Sequence, residues 1–339
     1  MSMTILTAIF LLCYILIPGG GGVFQWYRWF RWRRRFYGSL LFPLWSPGKP
    51  LTGREWRFLG TVDSLVRDHY LWVRCNGLLV WVDLSRVLLH LLPGVEEDRL
   101  GGMEVLHAED VHHLPSGASV YLAGRVREEN GKIVLDPQSQ PVLVLYSVPL
   151  HNLVHSVISS ARSVNEFWNP LTLPFMGVGM LLLLLFGSVS IQTHYLEGLL
   201  SLTAAFLPVS VFFPPAVFGY YLHRKLWKMG KKALVTYEQA TLPWKACRRR
   251  PEEGTSWEVG DRRYRMREEG ASFVLEVREV ETGAADPLLH GYTTPPYTRP
   301  SRMWWKGWGL LLLAALSLVL SVVIEGTLIL MGVDYLMGG

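Results

Sequence analysis

The chain is poor in charge and nearly without cysteine. Only 18% of its 339 residues are Asp, Glu, Lys or Arg, against the roughly 25% usual for soluble domains. Three cysteines, Cys13, Cys75 and Cys247, are too few for a disulfide framework or a zinc module. Basic residues are missing from whole stretches: none precedes Arg28, lies between Arg162 and Arg224, or follows Lys306. Catalytic signatures are missing as well. There is no G-x-S-x-G, no P-loop and no G-x-G-x-x-G, so the residues point to no enzyme and no cofactor. The four glycines at 19–22 are no phosphate cradle, because an apolar run and no strand feeds them.

What fills the gaps in charge is long apolar sequence. Residues 3–24, 172–191, 199–222 and 308–333 each suit a helix crossing the bilayer, which takes about 20 residues. The first has no basic leader region and runs into tryptophans, so it reads as a retained anchor and not as a cleaved signal. The second and third are separated only by QTHYLEG and form a hairpin. Segregation of the 33 Lys and Arg residues into two connecting segments places both segments in the cytoplasm and both termini outside. The expected fold class is an α+β integral membrane protein with four transmembrane helices, and the expected location is a bacterial cell membrane.

The stretch FQWYRWFRWRRRF directly follows the first span. Its mixture suits either a groove that stacks nucleobases or the boundary of a bilayer, where Trp and Tyr sit at headgroup depth and Arg faces anionic lipid. The same grammar recurs as YYLHRKLWKMGKK and RPSRMWWKGW at two other span ends, and the net charge of +5 is modest. These observations favour the bilayer as partner over nucleic acid. The interfacial residues are then Trp26, Arg28, Trp29, Arg31, Trp32, Arg33, Arg34 and Arg35, with Arg224, Lys225 and Trp227, and with Trp304, Trp305 and Lys306.

After a juxtamembrane segment at 25–55, residues 56–168 change to short alternating runs. REWRFLGTVDSLV, HYLWVRCNG, LLVWVDLS, MEVLHAEDV, SVYLAGRVREE and GKIVLDP read as strands, and Asn130-Gly131 suits a tight hairpin. About six strands in so short a segment imply a small all-β domain, an OB-like barrel first. PLHNLVHSVISSARSVNEFW then places Leu150, Leu153, Val154, Val157, Ile158, Ala161 and Val164 on one helical stripe. Residues 223–303 hold a basic exit helix, one hairpin formed by RRYRMREE and SFVLEVREV, and a Pro-rich linker. So small a ribbon is expected to lean on the first β domain or on the membrane.

The run VYLAGRVREENGKIVLDPQSQPVLVLYSVPLHNLV, preceded by the Pro-Ser-Gly turn at 115–117, resembles the GIDE domain of Mulan-like membrane ubiquitin ligases over about residues 56–164. The resemblance implies a domain held between two spans with a RING after the second. Here the chain departs from it: beyond the second span only Cys247, His194, His223 and His290 are available, and a RING needs eight zinc ligands. Ligase activity does not transfer.

The remaining polar residues have plain readings. His107, Glu109, Asp110, His112 and His113 are dense enough for a metal but fit a solvated turn, and His151 and His155 at i and i+4 lack the glutamate of HExxH. No metal site is expected. Glu325 in SVVIEGTLIL is the ionisable residue in the least comfortable place. It lines an intramembrane path, or it reaches headgroup water at the outer interface. Pro208, Pro214 and Pro215 kink the third span. The function expected is a non-enzymatic scaffold or regulatory partner of another membrane assembly, or of a second copy of itself. The alternatives are a small transporter or channel subunit, and a ligase relative without its RING.

Overall fold

The computed structural model describes residues 2–51, 53–65, 69–92, 102–106, 117–210, 214, 216–247, 256–269, 272–294 and 300–338. In chain order the elements are α1 (Ser2–Phe10), a π-helical turn (Leu11–Leu16), α2 (Ile17–Ser39), β1 (Glu55–Leu65), β2 (Tyr70–Cys75), β3 (Leu78–Asp83), β4 (Leu89–Leu91), β5 (Glu104–Leu106), β6 (Ser119–Glu129), β7 (Lys132–Leu135), β8 (Val142–Tyr146) and α3 (Leu153–Ser163). There follow α4 (Thr172–Ser190), α5 (Tyr195–Ser210), α6 (Ala216–Cys247), β9 (Ser256–Val259), β10 (Arg262–Glu269), β11 (Ser272–Glu279), β12 (Tyr292–Thr294) and α7 (Pro300–Gly338). The chain divides into a helical unit, Met1–Phe30 with Asn165–Ala233 and Trp304–Gly339, and a β-rich unit, Arg31–Val164 with Leu234–Met303.

Among the described residues three helices are long and apolar enough to cross a membrane: Met3–Ser39, Thr172–Ser190 and Arg302–Gly332. The first is longer than the expected 3–24, because the helix continues through the four glycines and the aromatic-basic stretch. Glycine costs about 1 kcal/mol per position in a helix interior, but here it makes room. A Cβ at Gly21 would stand 2.5 Å from Asn169 Oδ1, one at Gly22 would meet the Glu166 carbonyl at 3.4 Å, and Asn169 Nδ2 donates to the Pro18 carbonyl at 3.1 Å.

The expected span at 199–222 is not one helix. It is divided between α5, which ends at Ser210, and α6, which begins at Ala216 just after Pro214-Pro215. Prolines lack the N–H that would carry the ladder on. The apolar helix on the near side of the break, Tyr195–Val209, is short. α4 and α5 form the expected hairpin: Ser201 donates its hydroxyl to the Leu183 carbonyl at 2.7 Å, and a Cβ at Gly187 would lie 2.8 Å from Leu202. α7 runs antiparallel to α5 and then to the first turns of α6. Tyr195 bonds Asp334, Leu207 touches Gly326, Gly219 abuts Ser321, the His223 ring meets the Ala314 carbonyl, and Gly230 faces Gly307.

In the β-rich unit, β1 pairs with both β2 and β6, so the order β1-β2-β3-β7-β6 closes into a ring of five strands, with β3 and β7 parallel. Inward residues such as Phe58, Leu71, Val73, Val80, Val82, Leu122 and Leu135 fill it. β8, β4 and β5 extend the sheet beyond β6. β4 and β8 are additional to the strands expected; β8 reads VLVLY with four of five residues buried, so no alternation advertises it. Asn130 and Gly131 have φ of 53° and 72°, the doubly left-handed turn that joins β6 to β7. The α3 stripe is buried as expected at Leu153, Val154, Val157, Ile158 and Ala161.

The second soluble segment contributes more than one hairpin: β12-β11-β10-β9 is a four-stranded sheet. It packs on the first segment within the same unit. Arg262 donates to the carbonyls of Leu40 and Phe42, Lys49 pairs with Glu279, and Arg54 pairs with Asp261 at 3.0 Å.

Candidate functional site

Among the described residues, two buried ionic centres lie in the β-rich unit. Arg57 stands between Trp56 and Phe58 on β1, so the pleat turns it away from the barrel interior. It is nonetheless fully buried, because Asp286 covers it and pairs with it. Asp286 also pairs with Arg262 at 3.2 Å and accepts from the backbone N–H groups of Leu288 and Leu289. Burial pushes the Asp286 carboxyl up, but the Arg57 and Arg262 guanidiniums outweigh it and hold it below its ordinary value of 3.8.

The second centre is Glu238 on α6. It accepts from Arg162 Nε of α3 at 3.0 Å and from the Tyr37 hydroxyl of α2 at 2.6 Å, and Arg33 Nε lies 3.6 Å away. Burial raises its carboxyl, and Arg162 and Arg33 bring it below its ordinary 4.5. Both centres join chain pieces more than 70 residues apart, and their charged groups bind one another.

The aromatic-basic stretch separates by helical face. Trp26 stays exposed and stacks on Phe30 at 5.6 Å, and Arg31, Arg34 and Arg35 are exposed, while Arg28 is half-buried. Trp29, Trp32, Arg33, Phe36 and Leu40 are buried. Trp32 stacks on Phe36 and lies 4.6 Å from the His90 ring. Arg33 donates to the Ala161 carbonyl at 3.3 Å. Trp32 and Arg33 are therefore packed inside the β-rich unit; their i, i+3/i+4 spacing was the available signal once the helix is continued past the glycines. Arg224 and Lys225 are exposed, and Trp227 is half-buried with Lys231 over its ring at 5.1 Å. Trp304, Trp305 and Lys306 are exposed, the two rings packed edge to face at 4.7 Å.

One sheet face carries an aromatic ladder absent from the expected sites. Trp72 and Trp81 are register partners across β2 and β3, 4.5 Å apart; Tyr70 adds an edge at 6.0 Å, and Lys132 Nζ sits 3.8 Å above Trp81. These rings are half-buried, and Trp72 Nε1 has no hydrogen-bond partner among the described residues.

The expected polar candidates do not converge. His107, Glu109, Asp110, His112 and His113 lie outside the described residues. His151 is exposed, whereas His155 stacks on Tyr292 at 4.5 Å, and burial lowers its imidazole below 6.5. Among the described residues no group of three or more His, Cys, Asp or Glu is placed to hold a metal. Cys75 is buried, which pushes its thiol up to about 12. Glu325 is 6% exposed, and Oε2 has no hydrogen-bond partner among the described residues; its carboxylate is packed inside the helical unit. No known family model, no curated protein and no solved structure matches the chain.

Proposed function

We propose that the chain is a four-crossing membrane protein that holds its β-rich unit at the cytoplasmic face as a docking platform for another membrane protein or a second copy of itself. The observation that carries this reading is the shared core of Arg31–Val164 and Leu234–Met303. Two segments that fold together lie on one side of a bilayer, so the chain between them crosses an even number of times. With α4 as one crossing, α5, the break and the start of α6 make the return as a discontinuous helix. Confinement of all Lys and Arg to 28–162 and 224–306, within and directly beside these segments, supports a cytoplasmic location for both, with the termini outside, as in a bacterial inner membrane.

The closed ring with its one parallel pair supports the OB-like assignment of the domain, and fold alone names no ligand. The platform reading rests on how the buried charges are used: Asp286 and Glu238 are saturated by arginines of the same unit, which stiffens it. The aromatic ladder is left to offer rings and a cation to a partner. A photo-crosslinker at Arg74, whose side chain is 63% exposed, is expected to capture one partner in native membranes. Combined Trp72→Ala and Trp81→Ala should abolish the adduct while circular dichroism stays unchanged. An adduct indifferent to both tryptophans sinks the platform reading. A second reading, a transporter or channel subunit, is favoured by the burial of Glu325.

A further inference from the structure

Leu71, Val73, Val80 and Val82 fill the barrel, so the alternate residues Tyr70, Trp72 and Trp81 of β2 and β3 point away from it. Their rings make one continuous surface, with Trp72 4.5 Å and Tyr70 6.0 Å from Trp81. All three are half-buried, and Trp72 Nε1 is a buried donor without an acceptor among the described residues. Such an unmet donor costs about 1–3 kcal/mol.

The acceptors of this face are engaged by donors of the same unit. Asp83, the register partner of Tyr70, accepts from the Ser85 N–H at 3.0 Å and from the Ser85 hydroxyl at 2.6 Å. Asp63 is held by Arg74 at 2.8 Å, and Glu129, opposite Lys132, by Arg127 at 3.1 Å. What the face offers a ligand is donors: the indole N–H groups, the Tyr70 hydroxyl and the Lys132 ammonium.

That inventory sorts the ligand classes an aromatic surface could take. A cationic side chain would compete with Lys132, whose Nζ already sits 3.8 Å above Trp81. A nucleic-acid strand draws its affinity from free cations, and Arg74 and Arg127 are paired. A sugar brings hydroxyl donors and would find these carboxylates taken. A proline-rich chain matches: proline has no N–H, and the polyproline II backbone makes no internal hydrogen bonds, so its carbonyls stay free to accept. Its apolar rings lie on aromatic side chains, and its preformed helix loses little entropy on docking. We propose that the outward face of β2 and β3 docks a proline-rich segment of the partner in the polyproline II conformation. This rests on the docking-platform reading and narrows it to one class of partner.

The test uses the full-length protein in nanodiscs and a fluorescein-labelled decaproline peptide, read by anisotropy. Saturable binding that is insensitive to added salt is expected, with none for a Gly-Ser peptide of equal length. Trp72→Phe keeps the ring and removes its N–H, and should weaken binding about three- to tenfold, the worth of one hydrogen bond. Trp81→Ala should abolish binding while circular dichroism stays unchanged. Unlabelled decaproline should also suppress the adduct formed from Arg74. An adduct that depends on both tryptophans but resists decaproline overturns this inference and leaves the platform reading standing. No saturable decaproline binding, binding indifferent to Trp72 and Trp81, or tighter and salt-sensitive binding of oligothymidylate at the same rings also overturns it. Decaproline bound at the ladder in a protein that forms no adduct supports the site and counts against the platform reading alone.

Discussion

Replacing Asp286 with Asn would leave Arg57, fully buried, and Arg262, nearly so, without the one carboxylate that faces both. Breaking a buried pair by removing one partner costs about 3–5 kcal/mol, so Asp286→Asn is expected to lower the denaturation midpoint of the β-rich unit by that amount in tryptophan fluorescence. Arg57→Met, of similar length, should cost less, because it removes the stranded charge itself. The same centres set the response to acid. The carboxyls of Asp286 and Glu238 are held below their ordinary 3.8 and 4.5, so their contribution is present above those values and lost as pH falls through the lower folded ones. His155 acts earlier: its folded value lies below 6.5, the unfolded chain takes up the proton first, and stability declines as pH drops under about 6.5. A urea midpoint measured from pH 8 to pH 4 should show this first decline in the wild type and not in His155→Phe, which keeps the stack on Tyr292.

At the scale of elements, close helix contacts make glycines the sensitive positions. A Cβ at Gly198 would stand 2.6 Å from the Ile191 backbone, so Gly198→Ala should loosen the α4–α5 hairpin by about 1–3 kcal/mol, read as a lower unfolding temperature in detergent. Gly131→Val is a different test: its φ of 72° is strained for a β-branched residue, yet nothing lies within 4 Å of the added Cβ. It should cost about 1–2 kcal/mol and leave the fold intact. Elements of this kind were partly legible. The Asn130-Gly131 turn, the alternation in β10 and β11, and the α3 stripe were readable because each obeys a simple period. β8 has no alternation, and β4 and β12 are three residues each, too short for a pattern to rise above chance. The continuation of α2 was masked by glycines whose use is a contact with Asn169 and Glu166, residues far along the chain. Arg57 reads as a solvent-facing strand residue until Asp286 covers it; no local rule encodes that pairing. Glu325 stood out by its apolar setting alone, but its burial needed the packing of α7 on α5.

At the scale of the molecule, the shared core of 31–164 and 234–303 makes topology testable. Reporter fusions at Gly131 and Gly283, both at left-handed turn positions with open space, should report the same compartment, the cytoplasm. Fusions at the two termini should report the other side. Exchanging Arg28, Arg31, Arg34 and Arg35 for Glu should disturb that orientation, whereas Arg33→Glu should instead unfold the β-rich unit, because Arg33 faces Glu238.

Arg57 and Asp286 are separated by 229 residues of chain, which a ribosome covers in on the order of 10–50 s. The five strands of the ring are complete once Leu135 has been made, and from then on the arginine on its outer face waits for a carboxylate not yet synthesised. The nascent barrel therefore passes through a stage with a bare cationic flank. Ribosome-bound chains stalled before Asp286 should bind anionic vesicles more tightly than chains stalled after α7 has emerged, so the acidic residue that completes the fold would also end a transient attachment to lipid.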